Sequence, residues 1–274
     1  MSSNSRSPER VRHHYEVERE LAARMRGATR ETRTELFKTL YTELFERVPD
    51  HPRLTRRETM QESEANTEKQ LRLLEPHFRD REATLLEIAP GDCRLGYAAS
   101  ALCENVIGVD ISDQRAADEQ SPVNFQLIVY DGYELDLPDE SVDIAFSYQF
   151  LEHLHPDDVE PHFDLIYRLL KSGGVYVFDT PHRYSGPHDI SRFFGDSLDC
   201  FHFQEWTYRE MRVLAEKHGF SDTWFHRRGE IRYSLLLNTI NDFAESLIGV
   251  LPGSIRKKIA ARLFPAVTLT IKKV

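Results

Sequence analysis

The chain has 274 residues, 40% hydrophobic and 29% charged, with a formal net charge of −10. This excludes disorder and collagen, and it suits one large domain or two small ones. No run approaches the ~20 apolar residues of a membrane span, the start MSSNSRSPER lacks the apolar stretch of a signal peptide, and the three cysteines are too scattered for a disulfide framework, so the expected location is the cytoplasm.

Charge is unevenly spread, with net +1 over residues 1–82, −17 over 83–226 and +6 over 227–274. An acidic middle repels polyphosphate, which argues against nucleic acid as a partner. In the first region, Leu36, Phe37, Leu40, Tyr41, Leu44, Phe45 and Val48 fall on one helix face, and Val48-Pro49-Asp50-His51-Pro52 ends that helix. A further helix is expected from about Gln61 to His77. Residues 1–82 thus read as a helical N-terminal appendage or lid on a main domain spanning 83–274.

From Ala83 short apolar runs alternate with amphipathic helices, the pattern of a parallel sheet covered on both faces. The expected strands are Thr84–Ala89, Val106–Asp110, Phe125–Tyr130, Val142–Ser147 and Val175–Phe178. A helix carrying Val159, Phe163, Ile166, Leu169 and Leu170 is expected to take its N-cap and first-turn charge from Asp157 and Asp158, to hold Pro161 in its first turn and to stop at Gly173-Gly174. Thr207 and Glu210 have the spacing of a capping box, opening a helix closed at Gly219. The fold class is therefore α/β, an open doubly wound, Rossmann-like sheet.

In such sheets ligands bind beyond the carboxyl ends of the strands. The first strand leads into Glu87-Ile88-Ala89-Pro90-Gly91-Asp92-Cys93, where Gly91 lets a ligand approach the backbone and a helix N-terminus follows. The second ends in Asp110, ~20 residues on, placed to accept hydrogen bonds from ribose hydroxyls. The third ends in Asp131-Gly132 and the fourth in Tyr148-Gln149.

Together with Val109-Asp110-Ile111-Ser112, Leu151-Glu152-His153 and Leu170-Lys171-Ser172-Gly173-Gly174, this text resembles a class I S-adenosylmethionine-dependent methyltransferase (methyltransferase type 11-like, small-molecule branch) from Leu85 to about Phe220. The resemblance implies a seven-stranded, mostly parallel sheet whose last strand is antiparallel, with Val267–Ile271 among the final two strands. It implies S-adenosylmethionine as cofactor. Glu87 and the turn with Ala89, Gly91 and Cys93 would hold its methionine end, Asp110 beside Ile111 the ribose, Asp131 before Gly132 the adenine amino group, and Tyr148 and Gln149 the neighbourhood of the sulfonium. Ala89 and Cys93 stand where the family pattern has glycine; Ala89 is cheap there if its φ is negative.

Methyl transfer asks the protein for alignment, plus a base when the acceptor is a hydroxyl. His188 and His182 are the first candidates, followed by His153. The spacing of His182, His188 and Asp189 fits no metal pattern, so no metal is expected. The long stretch 180–207 reads as an acceptor lid, and its aromatic residues suit a small molecule, a hydroxyl of a metabolite or glycan intermediate. Past Tyr233 the stripe Leu236, Leu237, Ile240, Phe243 and Leu247, followed by a basic amphipathic helix, suggests internal packing, a homodimer contact or a weak membrane-surface contact, with no integral membrane segment. Two rival functions share the fold: a catalytically silent cofactor-binding or scaffold protein, favoured by Ala89 and Cys93, and an NAD-dependent oxidoreductase, which wants three glycines in the turn.

Overall fold

Side-chain caps and prolines set the limits of the N-terminal helices. In the computed structural model, which describes residues 6–55, 60–78, 81–115, 120–227 and 229–274, α1 (Pro8–Arg26) opens on the Ser7 hydroxyl with Pro8 in its first turn. Residues 1–5, part of the polar start read above, lie outside the described residues. Helix α2 (Arg30–Arg47) opens at Thr29 and ends just before Pro49. Its Leu40 and Leu44, with Val48 beyond its end, are buried against Val17, Leu21, Ala22 and Met25 of α1 and against Phe201. The short α3 (Pro52–Thr55) and then α4 (Met60–Leu74), prolonged by a 3-10 turn Glu75–His77, follow.

The α/β region supplies β1 (Thr84–Ile88), α5 (Arg94–Ala99), β2 (Asn105–Asp110), β3 (Phe125–Val129), β4 (Val142–Tyr148), α6 (Pro156–Leu169), β5 (Leu170–Pro181), α7 (Tyr208–Lys217), β6 (Phe220–Arg227), β7 (Glu230–Arg232), α8 (Leu235–Gly249), α9 (Gly253–Leu263) and β8 (Ala266–Lys273). The sheet order is β3-β2-β1-β4-β5-β8-β6-β7. Strands β1 to β5 are parallel, and β8 runs antiparallel to both β5 and β6. The sheet thus has eight strands where the resemblance implied seven; the additional one is β7, a short hairpin partner of β6 at the edge.

One sheet face is covered by α6 and α7, with Val159, Phe163, Ile166, Tyr208, Met211 and Ala215 buried against Tyr176 and Phe178. The other is covered by α4 and α5 through Leu73, Leu74, Leu95 and Ala99. Three local expectations around α6 need correction. Its cap is His155, whose ring accepts from the Asp157 N–H, while Asp157 and Asp158 supply the first-turn charge as expected. Because the helix starts at Pro156, Pro161 lies beyond that turn and forgoes one ladder bond. The helix also ends at Leu169, and Leu170 already pairs with Val142; a register shift follows, between Val142 and Ile144, and Gly173 sits at φ +79. The Thr207–Glu210 capping box is present, and Gly219 has φ +89.

Candidate functional site

The carboxyl ends of β1, β2 and β4 open into a cavity of about 1200 Å³. Its floor includes Ala89, Gly91, Asp110, Ile111, Gly132, Tyr148 and Gln149. Asp110 is 6% exposed and joins two strand ends: Oδ2 accepts from the Gly91 N–H at 3.3 Å and Oδ1 from the Ser112 N–H at 3.2 Å. Burial raises its pKa, and those amides oppose the rise. Gly91 has φ +56 and open space where a Cβ would stand.

Ala89 has φ +55 and Cys93 φ +62, so both non-glycine residues of the turn occupy the left-handed region. The expectation of a negative φ at Ala89 is therefore corrected. The alternation of the turn needs a left-handed residue there whichever side chain is present. Cys93 is fully buried beneath the turn beside Leu85 and Leu95, and burial pushes its thiol up to about 12.

Three residues of the expected cofactor set do not line the cavity. Cys93 is one. Glu87 is 5% exposed and lies behind the turn, where its Oε2 meets no hydrogen-bond partner and burial pushes its carboxyl up to about 8. Asp131 is exposed, and its Oδ1 accepts from the Tyr133 and Glu134 amides at 2.8 Å each. Gln149, at φ 52, donates from Nε2 to Asp179 Oδ1 at 2.7 Å, and Lys69 of α4 donates to the Tyr148 hydroxyl at 2.7 Å.

The histidines separate by surroundings. His182 is fully buried with both ring nitrogens engaged: Nε2 faces Glu245 Oε1 at 2.7 Å and Nδ1 accepts from the Tyr184 N–H. Glu245 also accepts from the Tyr208 and Arg209 amides, so His182 ties β5 to α8 and α7 and does not face an acceptor. His188 lines the cavity, with Nδ1 3.1 Å from Glu205 Oε2 and Nε2 3.2 Å from the Ser185 hydroxyl. His202 shares that carboxylate, Nδ1 lying 2.9 Å from Glu205 Oε1. Although burial opposes it, hydrogen bonds from His188 and His202 hold the Glu205 carboxyl down to about 2. His153 lines the same wall with Nδ1 3.0 Å from the Phe201 carbonyl, and burial lowers it to about 4.

The N-terminal helices form the roof, which the sequence did not single out as lining. His14 and Glu18 of α1, Phe37 and Tyr41 of α2, and Arg53 of α3 all face the cavity. Glu18 accepts from the Phe201 N–H at 3.2 Å and pairs with His14 at 2.7 Å. The only sequence signal for this was the stripe on α2, whose members Phe37 and Tyr41 turn out to be shared between core and cavity. Arg33 anchors α2 through a 2.5 Å bond to Asp158 Oδ1 and a 3.0 Å bond to the Tyr133 hydroxyl. Among the described residues, no helix is long and apolar enough to cross a membrane.

Comparison with known proteins agrees with this architecture. Residues 86–178 match the family model described as a methyltransferase domain. A probable S-adenosylmethionine-dependent methyltransferase of Mycolicibacterium smegmatis is 30% identical over 140 residues, covering 49% of this chain and 51% of that protein. One of Mycobacterium tuberculosis is 28% identical over 145 residues, covering 51% and 50%. The chain thus spans about half the length of the curated relatives it matches. A solved structure of a SAM-dependent methyltransferase from Archaeoglobus fulgidus, 21% identical, shares the fold with a TM-score of 0.52 over 77% of this chain and 94% of that one. Residues 86–178 are thus similar to a methyltransferase domain, and the strand order gives the chain the fold of the solved S-adenosylmethionine-dependent methyltransferase.

Proposed function

We propose that the chain binds S-adenosylmethionine and moves its methyl group to a small-molecule acceptor, with a hydroxyl of a metabolite or glycan intermediate as the group methylated. The observation that carries this reading is the join between the β1 turn and β2: the buried Asp110 carboxylate beside the open face of Gly91, on a cavity with room for a nucleoside and an acceptor together. The residues fit the cofactor. Asp110 offers carboxylate acceptors to ribose hydroxyls, Gly91 offers close backbone approach, and Tyr148 and Gln149 stand where the β4 end meets the cavity.

When bound, the cofactor supplies a methyl group already activated by its sulfonium. What remains for the protein is alignment, exclusion of water and removal of one proton. The roof formed by Phe37, Tyr41 and Phe201 supplies the exclusion. For the proton we assign His188: Glu205 holds its Nδ1, so Nε2, which rests 3.2 Å from the Ser185 hydroxyl, is the atom that would turn to the acceptor. His153, already neutral and on the same wall, takes part in holding the acceptor. Calorimetry with S-adenosylhomocysteine and separately with NAD tests the reading: binding of the first and not the second is expected, and the reverse would overturn it. Binding without transfer to any hydroxyl acceptor would favour a silent protein, the reading to which the left-handed Ala89 and Cys93 lend support.

For the C-terminal helices we propose contact with an anionic lipid surface. Leu236, Ile240, Phe243 and Leu247 make an exposed stripe on α8, and the neighbouring α9 carries Arg256, Lys257, Lys258 and Arg262.

A further inference from the structure

The segment that closes the acceptor side of the cavity is fixed at both ends. The Phe203 N–H donates to the Glu152 carbonyl at 2.7 Å, and the Phe201 N–H donates to Glu18. This brings His202 onto the 3-10 turn Leu151–His153, with the His153 and His202 rings edge to face at 5.0 Å. Glu152, His153 and His202 each offer a ligand atom within 4.8 Å of the others.

In each of the three, the other polar atom is already held. Thr180 donates to Glu152 Oε2 at 3.0 Å, His153 Nδ1 faces the Phe201 carbonyl, and His202 Nδ1 faces Glu205. What is left is Glu152 Oε1, in a side chain 1% exposed and without a hydrogen-bond partner, together with the two Nε2 atoms of residues that line the cavity. A ring whose far nitrogen is fixed by a carbonyl or carboxylate is how proteins orient histidine toward a metal. A buried carboxylate oxygen without a partner is costly unless something cationic meets it.

We propose that Glu152, His153 and His202 form a divalent-cation site, a two-histidine, one-carboxylate face of the kind that takes Zn²⁺, Mn²⁺ or Fe²⁺. The sequence expectation of no metal rested on the spacing of His182, His188 and Asp189, which is a different set. The other two ligand groupings are weaker. His14 and Glu18 are spent on each other, and the Cys200 thiol near Glu18 and Asp189 is pushed far up by burial.

Three protein ligands leave coordination positions on the cavity side. Resting on the methyl-transfer reading, a cation there polarises the acceptor hydroxyl. The O–H proton then passes to His188, the oxygen forms its bond to the methyl carbon, and the sulfur–carbon bond breaks to leave a neutral thioether. Glu205 couples the two halves, since one oxygen holds His202 and the other holds His188.

The test uses the full chain stripped with chelator and titrated with Mn²⁺ followed by electron paramagnetic resonance, and with Zn²⁺ followed by equilibrium dialysis. One ion per chain is expected. Glu152→Gln and His202→Asn should each weaken it on the order of tenfold or more, with S-adenosylhomocysteine affinity and melting temperature retained. If His202→Asn fails to fold, Glu152→Gln decides, because it keeps the side-chain shape. The inference is overturned if neither ion binds, or if binding survives in a folded Glu152→Gln. In the second case the ion belongs to another group. Metal binding without S-adenosylhomocysteine binding would defeat the methyl-transfer reading and leave the site standing.

Discussion

Ala89 and Cys93 take a backbone conformation that a Cβ makes costly, by roughly 1–2 kcal/mol per residue. Glycine at position 89 would remove the clash and give back part of the gain as chain entropy, so Ala89→Gly should stabilise the protein by about 1 kcal/mol in a denaturant melt. An unchanged midpoint would mean that the turn relaxes in solution. Asp110→Ala should weaken S-adenosylhomocysteine binding by about 1.5–3 kcal/mol, the usual cost of lost charge-assisted hydrogen bonds, read by calorimetry. Unchanged affinity would take Asp110 out of the site. Glu87 makes a prediction in pH. Burial raises its carboxyl to about 8, so the favourable contribution of the neutral form is complete below about pH 4.5 and is lost as pH rises through 8. Glu87→Gln should therefore raise the melting temperature more at pH 8.5 than at pH 5; an equal change at both would show that the carboxyl is not held neutral.

Among the elements, α2 is tied to the α/β core by a buried ion pair as well as by apolar packing. Arg33 and Asp158 have side chains only 3% and 9% exposed, and the Tyr133 hydroxyl bonds to both. Removing one partner leaves a buried charge unpaired, a loss of about 3–5 kcal/mol. Arg33→Ala should lower stability by that order, and it should raise the KM for an acceptor more than it lowers kcat, because Phe37 and Tyr41 sit on the same helix. A loss below 1 kcal/mol would mean that water replaces the arginine. The stripe Leu36 to Val48 made this helix legible in sequence, yet the stripe says only that a face is buried. That Phe37 also rests on Gly132, 3.1 Å from where its Cβ would be, depends on how α2 is laid over the strand ends. In α6 the apolar spacing was legible and the ends were not, because His155 is an unusual cap and Leu170 is taken into strand pairing before the glycines are reached.

For the whole molecule, the separation between an acidic middle and a basic C-terminal end gives it a direction. On anionic vesicles the α8 stripe and α9 should face the lipid, while the −17 region is repelled from it. Sedimentation with phosphatidylglycerol-rich vesicles should pellet the protein, phosphatidylcholine vesicles or high salt should release it, and Phe243→Glu should abolish binding. Failure to pellet, together with a dimer in analytical ultracentrifugation that Phe243→Glu dissociates, would assign the stripe to a second copy of the chain.

The five parallel strands and their polar ends at Gly91, Asp110 and Gln149 could be read from the chain alone, because periodicity and turn chemistry act over neighbouring residues. Tertiary structure decided which histidines meet a cavity. His182 and His188 are six residues apart, and one is sealed against Glu245 while the other shares Glu205 with His202. It also placed Glu18 and Glu152, 134 positions apart, on the two sides of the Phe201–Phe203 segment. The physical reason is that burial and electrostatic partners are set by contacts distant in sequence, which no local pattern records.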